Sequence, residues 1–587
     1  MPKFTAYVDP LEKKIYSDLS KENLMIHTRA IGQWERESGS EGEKRTFDYI
    51  EKELRSFKLP VKRYELDSYI SLPEVGFLET PSSESKKIEG LSPSFSASTP
   101  EEGLSGEVVH IGLGEDSDYV GKNVSGKILL IDGLPSPKVA RKAEDHGAMG
   151  LIFAGDDRLH YMIIAALWGT PIYSRKDLIP KVPCISIVKK EGDLLKEWLR
   201  NRPVALRIKT KVWTGFKKIP LLTADLKGEV ERKKLLLLSG HVDSWHYGAY
   251  DNAGGNAAMI EVARLLQKHR DHMRRGVRLA FWSGHSQGRY SGSTWYADHF
   301  YEELYHNCIA HLNVDCIGGK GATDYSNLFG TEDTWDLAQK LILDCTQQRV
   351  KARRCPRAGD QSFWGIGLPS LFMDLSGVPS EKGSEVSETT AKFLGTSGLP
   401  WWWHTREDTL DKIDPEILAL DTRIYLSSAL RFCNSPILPL NEETMGREIL
   451  RALKDYEDSS KGSMDLSKSI HAAKTFLRLA KRLGKVIDSD TIMKRKTSWQ
   501  YEINSCLMKL SRNLINLNYN FVGPFDHDLA VPLPPVPVLQ SISLLPKMNP
   551  NEDDFKFLKT ELTRLENRAI HHLNQSSETI LSLGLKV

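Results

Sequence analysis

At 587 residues the chain exceeds what one hydrophobic core accommodates, and a scale of roughly 100–200 residues per domain suggests about three domains. Lys+Arg total 79 against Asp+Glu 77, a formal net charge of +2, so the overall balance gives no reason to expect nucleic acid or an anionic membrane as a partner. The cysteines (Cys184, Cys308, Cys316, Cys345, Cys355, Cys433 and Cys506) are odd in number, scattered and without a C-x-x-C pair, which argues against a disulfide framework or a structural zinc knuckle and for a reducing compartment.

The opening MPKFTAYVDPLEKK has no basic segment followed by an apolar one, and no apolar run is long enough to span a bilayer; a cytoplasmic protein is expected. Residues 1–70 carry helical spacing through Ile15, Leu19, Leu24, Ile26 and Ile31, then Phe47, Ile50 and Leu54, and VKRYEL alternates like an edge strand. From 71 to 217 the texture is Gly, Ser, Pro and short apolar runs: GEVVHIGLG, GKILLIDG, GAMGLIFAG and VPCISIV predict strands, and ARKAEDHGA a helix ending at glycine. Between 218 and 435 the pattern alternates. KKLLLLSG, VRLAFWSG, IAHLNVDCIG and SLFMDLSG are near-continuous apolar strands of a kind covered on both faces, separated by helices near 256–269, 293–305, 331–348 and 415–432. From 436 to 587 helical spacing fills 443–457, 464–483, 487–517 and 551–583, with the proline-rich VPLPPVPVLQSISLLP as an extended connection. The fold class expected is α/β: a mostly parallel mixed sheet with helices on both faces, a β-rich insert and a C-terminal helical domain.

Ligand groups gather at the carboxyl ends of strands in such sheets. Here those ends present His241, Asp243 and Asp251 in GHVDSWHYGAYDNAGG, His285 and Ser286 in SGHSQGRYSGS, Asp315 in NVDCIGG, and His404 from the loop WWWHTREDTLDKID. Imidazoles and carboxylates projecting from several strand ends are what a dinuclear zinc hydrolase needs. His246 is a further candidate ligand, set against a plain loop histidine.

GHVDSW, GAYDNAGG, GSTWYA, NVDCIG and HTREDTLDKID are similar to the zinc metallopeptidase family that includes bacterial leucyl aminopeptidases, glutamate carboxypeptidase II and the transferrin receptor. The strand–helix–strand order GKILLIDG, ARKAEDHGA, GAMGLIFAG resembles a protease-associated domain, and the carboxypeptidase and receptor branch shares the order of insert and helical dimerisation domain. The resemblance implies His241 and Asp315 as ligands of one metal, Asp251 as the bridging carboxylate, His404 as a ligand of the other metal, and Asp243 as the residue orienting His241. The cofactor implied is a divalent metal, zinc first, as one or two ions.

The chain departs from that pattern where the family carries a Glu-Glu pair, a general base followed by a ligand of the His404 metal; His285 and Ser286 stand there, with one extra residue before Gly292. Three readings stay open: His285 is a metal ligand, it is the general acid or base, since imidazole titrates near neutrality, or the second metal is lost and His241, Asp251 and Asp315 surround one ion. Where the carboxypeptidase branch has a tyrosine that stabilises the oxyanion, Trp401, Trp402 and Trp403 precede His404; Trp403 is a candidate catalytic N–H donor and Trp402 a candidate pocket wall. Arg289 and Tyr290, and the group Arg353, Arg354 and Arg357, are candidate contacts for a substrate carboxylate.

The reading is a metal-dependent hydrolase acting on an amide, peptide or related C–N bond of a small molecule or short peptide, a homodimer through its C-terminal helices. The rivals are a non-catalytic, transferrin-receptor-like binding scaffold and a metal-dependent lyase.

Overall fold

A computed structural model describes residues 10–80, 86–372, 374–379, 398–488 and 497–584. The catalytic-type sheet is the expected α/β arrangement. Strand Glu231–His241 lies between Arg275–Trp282 and Cys308–Asn313, parallel to both, and Ser370–Leu371 continues the parallel order beyond Cys308–Asn313. Each central strand is apolar on both faces for a visible reason. Leu236 and Leu238 point into the core with helix Gly254–Lys268, whereas Leu237 between them points into a second core with Tyr296 and Leu304; Leu279 and Phe281 divide from Ala280 and Trp282 in the same way.

Helices Lys21–Gly32 and Glu41–Ser56 each begin at a serine, Ser20 or Ser40, whose hydroxyl accepts an amide N–H of the first turn, and they pack on the first face with Pro415–Asn434. Ser291–His299 and Tyr301–Asn307 cover the second face.

The domain limits expected at 70/71 and 217/218 fall inside paired strands. Two long strands, Val61–Glu79 and Ala205–Leu226, pair antiparallel along most of their length and run straight through both positions. At one end Ala205–Leu226 pairs with Arg275–Trp282 of the catalytic-type sheet, and at the other with Leu104–His110 of the insert. Leu104–His110, Ile128–Asp132, Gly150–Ala154 and Cys184–Ile187 then follow as neighbouring parallel strands. The insert is therefore joined by continuous backbone hydrogen bonding, not by a linker.

Helices Glu442–Ser459, Ser467–Ile487, Thr497–Tyr519 and Asp553–Leu581 form the C-terminal region, with the 3₁₀ segment Pro537–Lys547 laid across them. Residues 489–496 of the helix expected over 487–517, and Met373 of SLFMDLSG, lie outside the described residues. Arg512 fastens this region to the sheet: its buried guanidinium donates to the carbonyls of Cys308 at 2.6 Å, Tyr305 at 3.0 Å and Gly367 at 3.0 Å. No helix among the described residues is long and apolar enough to cross a membrane.

Candidate metal centre

His241 closes the strand Glu231–His241, and Asp315 lies just past Cys308–Asn313. Asp251 sits in the turn Ala249–Ala253 that feeds helix Gly254–Lys268, and His404 comes from the loop ahead of Pro415–Asn434. His241 Nε2 is 3.0 Å from Asp251 Oδ1 and 3.1 Å from Asp315 Oδ1, while His404 Nε2 is 3.1 Å from Asp251 Oδ2. One carboxylate thus stands between two imidazoles, each of its oxygens facing one ring. Gly240 allows the close approach this needs, since a Cβ there would meet the Val314 carbonyl at 2.6 Å.

The hydrogen bonds fix which ring nitrogens carry protons. His241 Nδ1 lies 2.8 Å from the Asp243 carbonyl and His404 Nδ1 2.6 Å from the Tyr161 carbonyl. A carbonyl only accepts, so both Nδ1 atoms are donors, and in a neutral ring the Nε2 atoms are bare lone pairs. Those lone pairs face carboxylate oxygens, which are also lone pairs. Acceptor against acceptor at this spacing calls for a proton or a cation between them, and the donor set of imidazole nitrogens and carboxylate oxygens suits zinc. Without an ion a proton is favoured on the His241 side only, since burial outweighs Asp251 at His404 and lowers its pKa. Burial opposes charge on His241, but Asp315 and Asp251 outweigh it and hold the imidazole well above its ordinary pKa. Burial likewise opposes charge on Asp251, and the two imidazoles overcome it, pulling the carboxyl well below its usual range.

Asp243 does not orient His241 with its carboxylate. That group stands 3.9 Å from His241 Nδ1, because its oxygens are taken by Ser38 Oγ at 3.0 Å, the Ser286 amide at 2.9 Å and the His285 amide at 3.2 Å. The orienting acceptor is the Asp243 main chain, and the side chain ties down the His285 loop instead.

His285 lies in that loop with its ring stacked on His241, centroids 3.8 Å apart and planes 13° from parallel. Its Nδ1 is 2.8 Å from Asp360 Oδ2, and Asp360 Oδ1 accepts Ser293 Oγ at 2.7 Å. Burial works against charge on Asp360, yet the adjoining His285 brings its carboxyl below the usual range. Ser286 is buried, and its hydroxyl has no hydrogen-bond partner.

The aromatic and basic candidates separate. Trp402 is fully buried in the main core, so the expected pocket wall is corrected to core packing. Trp403 lies flat on His404 at 3.6 Å, and its carbonyl is 2.6 Å from His160 Nδ1. Tyr290 is buried with its ring edge-on to His285 at 5.0 Å and tilted against Trp168 of the insert at 4.4 Å; Arg289 donates to its hydroxyl at 3.1 Å. His246 is turned from the cluster toward Glu35, 3.5 Å away, and against Tyr161. Arg354 and Arg357 are not free to meet a substrate. Arg354 pairs with Glu332 at 3.0 Å and lies on Tyr519, and Arg357 donates to the carbonyls of Asp528 and Leu529, so both hold the C-terminal region in place.

Three further residues shape the centre. Arg36, fully buried, donates to the carbonyls of Val242 at 2.9 Å, Tyr247 at 2.5 Å and Gly248 at 2.9 Å, pinning the loop between His241 and Asp251. Asp408 accepts the amides of Tyr250 at 2.8 Å and Asp251 at 3.0 Å. Asp374, beside Asp315, is pushed by burial first and by that neighbour second to a pKa of about 7.

Residues 222–427, which include all five candidate donors, match the model of peptidase family M28. The chain is 25% identical to a probable glutamate carboxypeptidase of Zea mays over 446 residues, 64% of this chain and 60% of that protein, so it spans about three fifths of that relative. It is 24% identical to aminopeptidase YwaD of Bacillus subtilis over 421 residues, 69% of this chain and 81% of that one. The structure of a zinc aminopeptidase from Bacillus subtilis superposes with a TM-score of 0.51 at 21% identity, covering 72% of this chain and 95% of that chain.

Proposed function

We propose that this chain, whose residues 222–427 belong to peptidase family M28, is a metal-dependent hydrolase of peptide or related amide bonds in small substrates. The observation that carries the reading is the pair of imidazoles whose Nδ1 protons are committed to main-chain carbonyls and whose Nε2 atoms face Asp251 from opposite sides. His241, Asp251 and Asp315 would hold an ion on one side, and His404 with Asp251 supplies donors on the other. Zinc is the metal favoured by this donor set and by the aminopeptidase neighbour. Such an ion, when bound, supplies Lewis acidity toward a carbonyl oxygen and toward water.

The chain's own residues do the rest. The Asp243 carboxylate holds the His285 loop over the centre, and the carbonyls of Asp243 and Tyr161 fix the rings that face Asp251. Tyr161 and Trp168 belong to the β-rich insert, which we take as a protease-associated-like module shaping the entrance. Trp245 of the ligand loop is buried in the insert's core, stacked on Tyr161 at 5.0 Å, so insert and centre are packed as one.

A homodimer through the C-terminal helices is part of the proposal, supported by Phe557 and Leu581, which stand exposed on helix Asp553–Leu581. A reducing, cytoplasmic setting is supported by seven cysteines that are all free thiols.

The test is a panel of short peptides with free or blocked termini, incubated with chelator-treated protein and with the same protein reloaded with zinc, and read by mass spectrometry. Cleavage that disappears with the ion and returns with it is expected. An ion-loaded protein that cleaves nothing on the panel overturns the hydrolase reading in favour of a binding scaffold.

A further inference from the structure

We propose that His285 is the proton-handling catalytic residue beside a single ion held by His241, Asp251 and Asp315, and that Asp360 is its positioning residue. The inference rests on the hydrolase reading above and decides a role that the residue types leave open.

Proximity alone groups the donor atoms of His241, His285 and Asp315 within 4.8 Å of one another, as if all three shared an ion. Orientation excludes it. An imidazole nitrogen binds a metal through a lone pair lying in the ring plane, at about 2.0–2.1 Å. The rings of His241 and His285 are stacked, 3.8 Å between centroids and 13° from parallel. Planes so nearly parallel meet only far beyond bonding distance, so the in-plane lone pairs of His241 and His285 run side by side and do not converge. The ring of His285 is held above the site without pointing its lone pair at the same ion.

Nor does His285 make up the His404 side. Its ring lies against His241, with Nδ1 committed to Asp360. That side offers His404 Nε2 and one oxygen of Asp251, and two donors are a poor basis for a tightly held second ion.

What remains for His285 is acid–base work, and its surroundings are built for it. Asp360 Oδ2 accepts the Nδ1 proton at 2.8 Å, which leaves Nε2 as the basic atom. Asp360 is itself fixed, since Oδ1 accepts Ser293 Oγ at 2.7 Å, and Ser293 lies 2.8 Å from Ser362, whose hydroxyl accepts Trp168 Nε1–H at 2.9 Å. The edge of Tyr290 closes the ring's remaining side. In the reaction, Nε2 takes one proton from water as the water oxygen bonds to the carbonyl carbon. When the C–N bond breaks, that proton passes to the leaving nitrogen, giving an amine and a carboxylic acid with His285 neutral again.

The experiment loads wild type, His285→Ala, His285→Gln, Asp360→Ala, Asp360→Glu and Ser286→Glu with zinc, removes the excess by gel filtration, and measures zinc per chain by elemental analysis. The same proteins are assayed for kcat and KM on the best peptide from the panel above. One zinc per chain is expected in wild type and in all His285 and Asp360 variants, and a second in Ser286→Glu. In the His285 variants kcat falls by about 10²–10⁴ with KM little changed, and added imidazole restores part of it. Asp360→Ala loses about 10–100-fold in kcat, and Asp360→Glu recovers part of that loss. Loss of zinc from either His285 variant, two tightly held ions in wild type, or unchanged kcat in both His285 variants overturns this proposal while leaving a hydrolase in place. A wild type that holds no zinc and cleaves nothing overturns the hydrolase reading itself.

Discussion

Replacing Arg36 by alanine removes a buried side chain that ties the ligand loop to the N-terminal helices. The guanidinium is fully buried and donates to three carbonyls of the loop, those of Val242, Tyr247 and Gly248, as well as to Ile31 and Trp34 on its own side. Burial lowers its pKa, but only to about 10, so it remains a cation at neutral pH. A hydrogen bond to a charged group contributes ~1.5–3 kcal/mol, and bonds sharing one group are not additive, so a loss of about 3–5 kcal/mol in stability is expected for Arg36→Ala. Because the loop carries Asp251, zinc affinity should fall as well, by about 10–100-fold. Arg36→Lys is expected to recover only part of both losses, since a single ammonium cannot reach carbonyls on both sides as a planar fork does. Urea unfolding of the metal-free proteins followed by tryptophan fluorescence reads the first quantity, and competition with a zinc chelator reads the second. An Arg36→Ala protein with unchanged midpoint and unchanged zinc retention would refute the idea that this residue organises the centre.

Asp408→Asn should weaken the same loop from its other end: a carboxamide offers one acceptor where two amides, of Tyr250 and Asp251, now bond, and about tenfold weaker zinc binding in chelator competition is expected. At the junction with the helical region, burial first and Glu332 next push Asp333 to about 7, and its buried neighbour Glu442 is raised as well. A carboxyl whose folded pKa is raised holds a proton that the unfolded chain has released, so stability is greatest below about pH 4 for this group and declines as pH rises toward 7, by on the order of 2–4 kcal/mol. Asp333→Asn should flatten that decline in unfolding midpoints taken from pH 4.5 to 8, and an unaltered profile would count against it. Sedimentation at micromolar concentration is expected to give twice the chain mass; the single-chain mass would contradict a dimer.

Much of the centre was legible because its residues sit where strands end. The runs LLLLSGH, VRLAFW and IAHLN announce strands covered on both faces, and His241, His285 and Asp315 follow them closely, so topology brings them together. Asp251 and His404 were legible through their motifs, and they meet at 3.1 Å.

What escaped were partners whose role is set by tertiary contact. Asp360 lies in GDQSFWG with no histidine near it in sequence to mark it, and only the fold carries it to His285. The Tyr161 carbonyl that fixes His404 is main chain, invisible to any reading of residue types. Arg354 and Arg357 read as candidate contacts for a substrate carboxylate, but their guanidinium groups are taken by carbonyls of Thr497–Tyr519 and of the segment after it. The continuity of Val61–Glu79 and Ala205–Leu226 through the expected limits of the insert was not legible, because the strands change neighbours without ending and composition records the neighbours alone.

The most direct test of the central claim is the metal content of the purified protein after expression with zinc, nickel, iron and manganese supplied, beside that of His241→Ala. Tightly held zinc in wild type, lost in His241→Ala with folding intact by circular dichroism, is the expected result. A wild type free of metal under those conditions would contradict it.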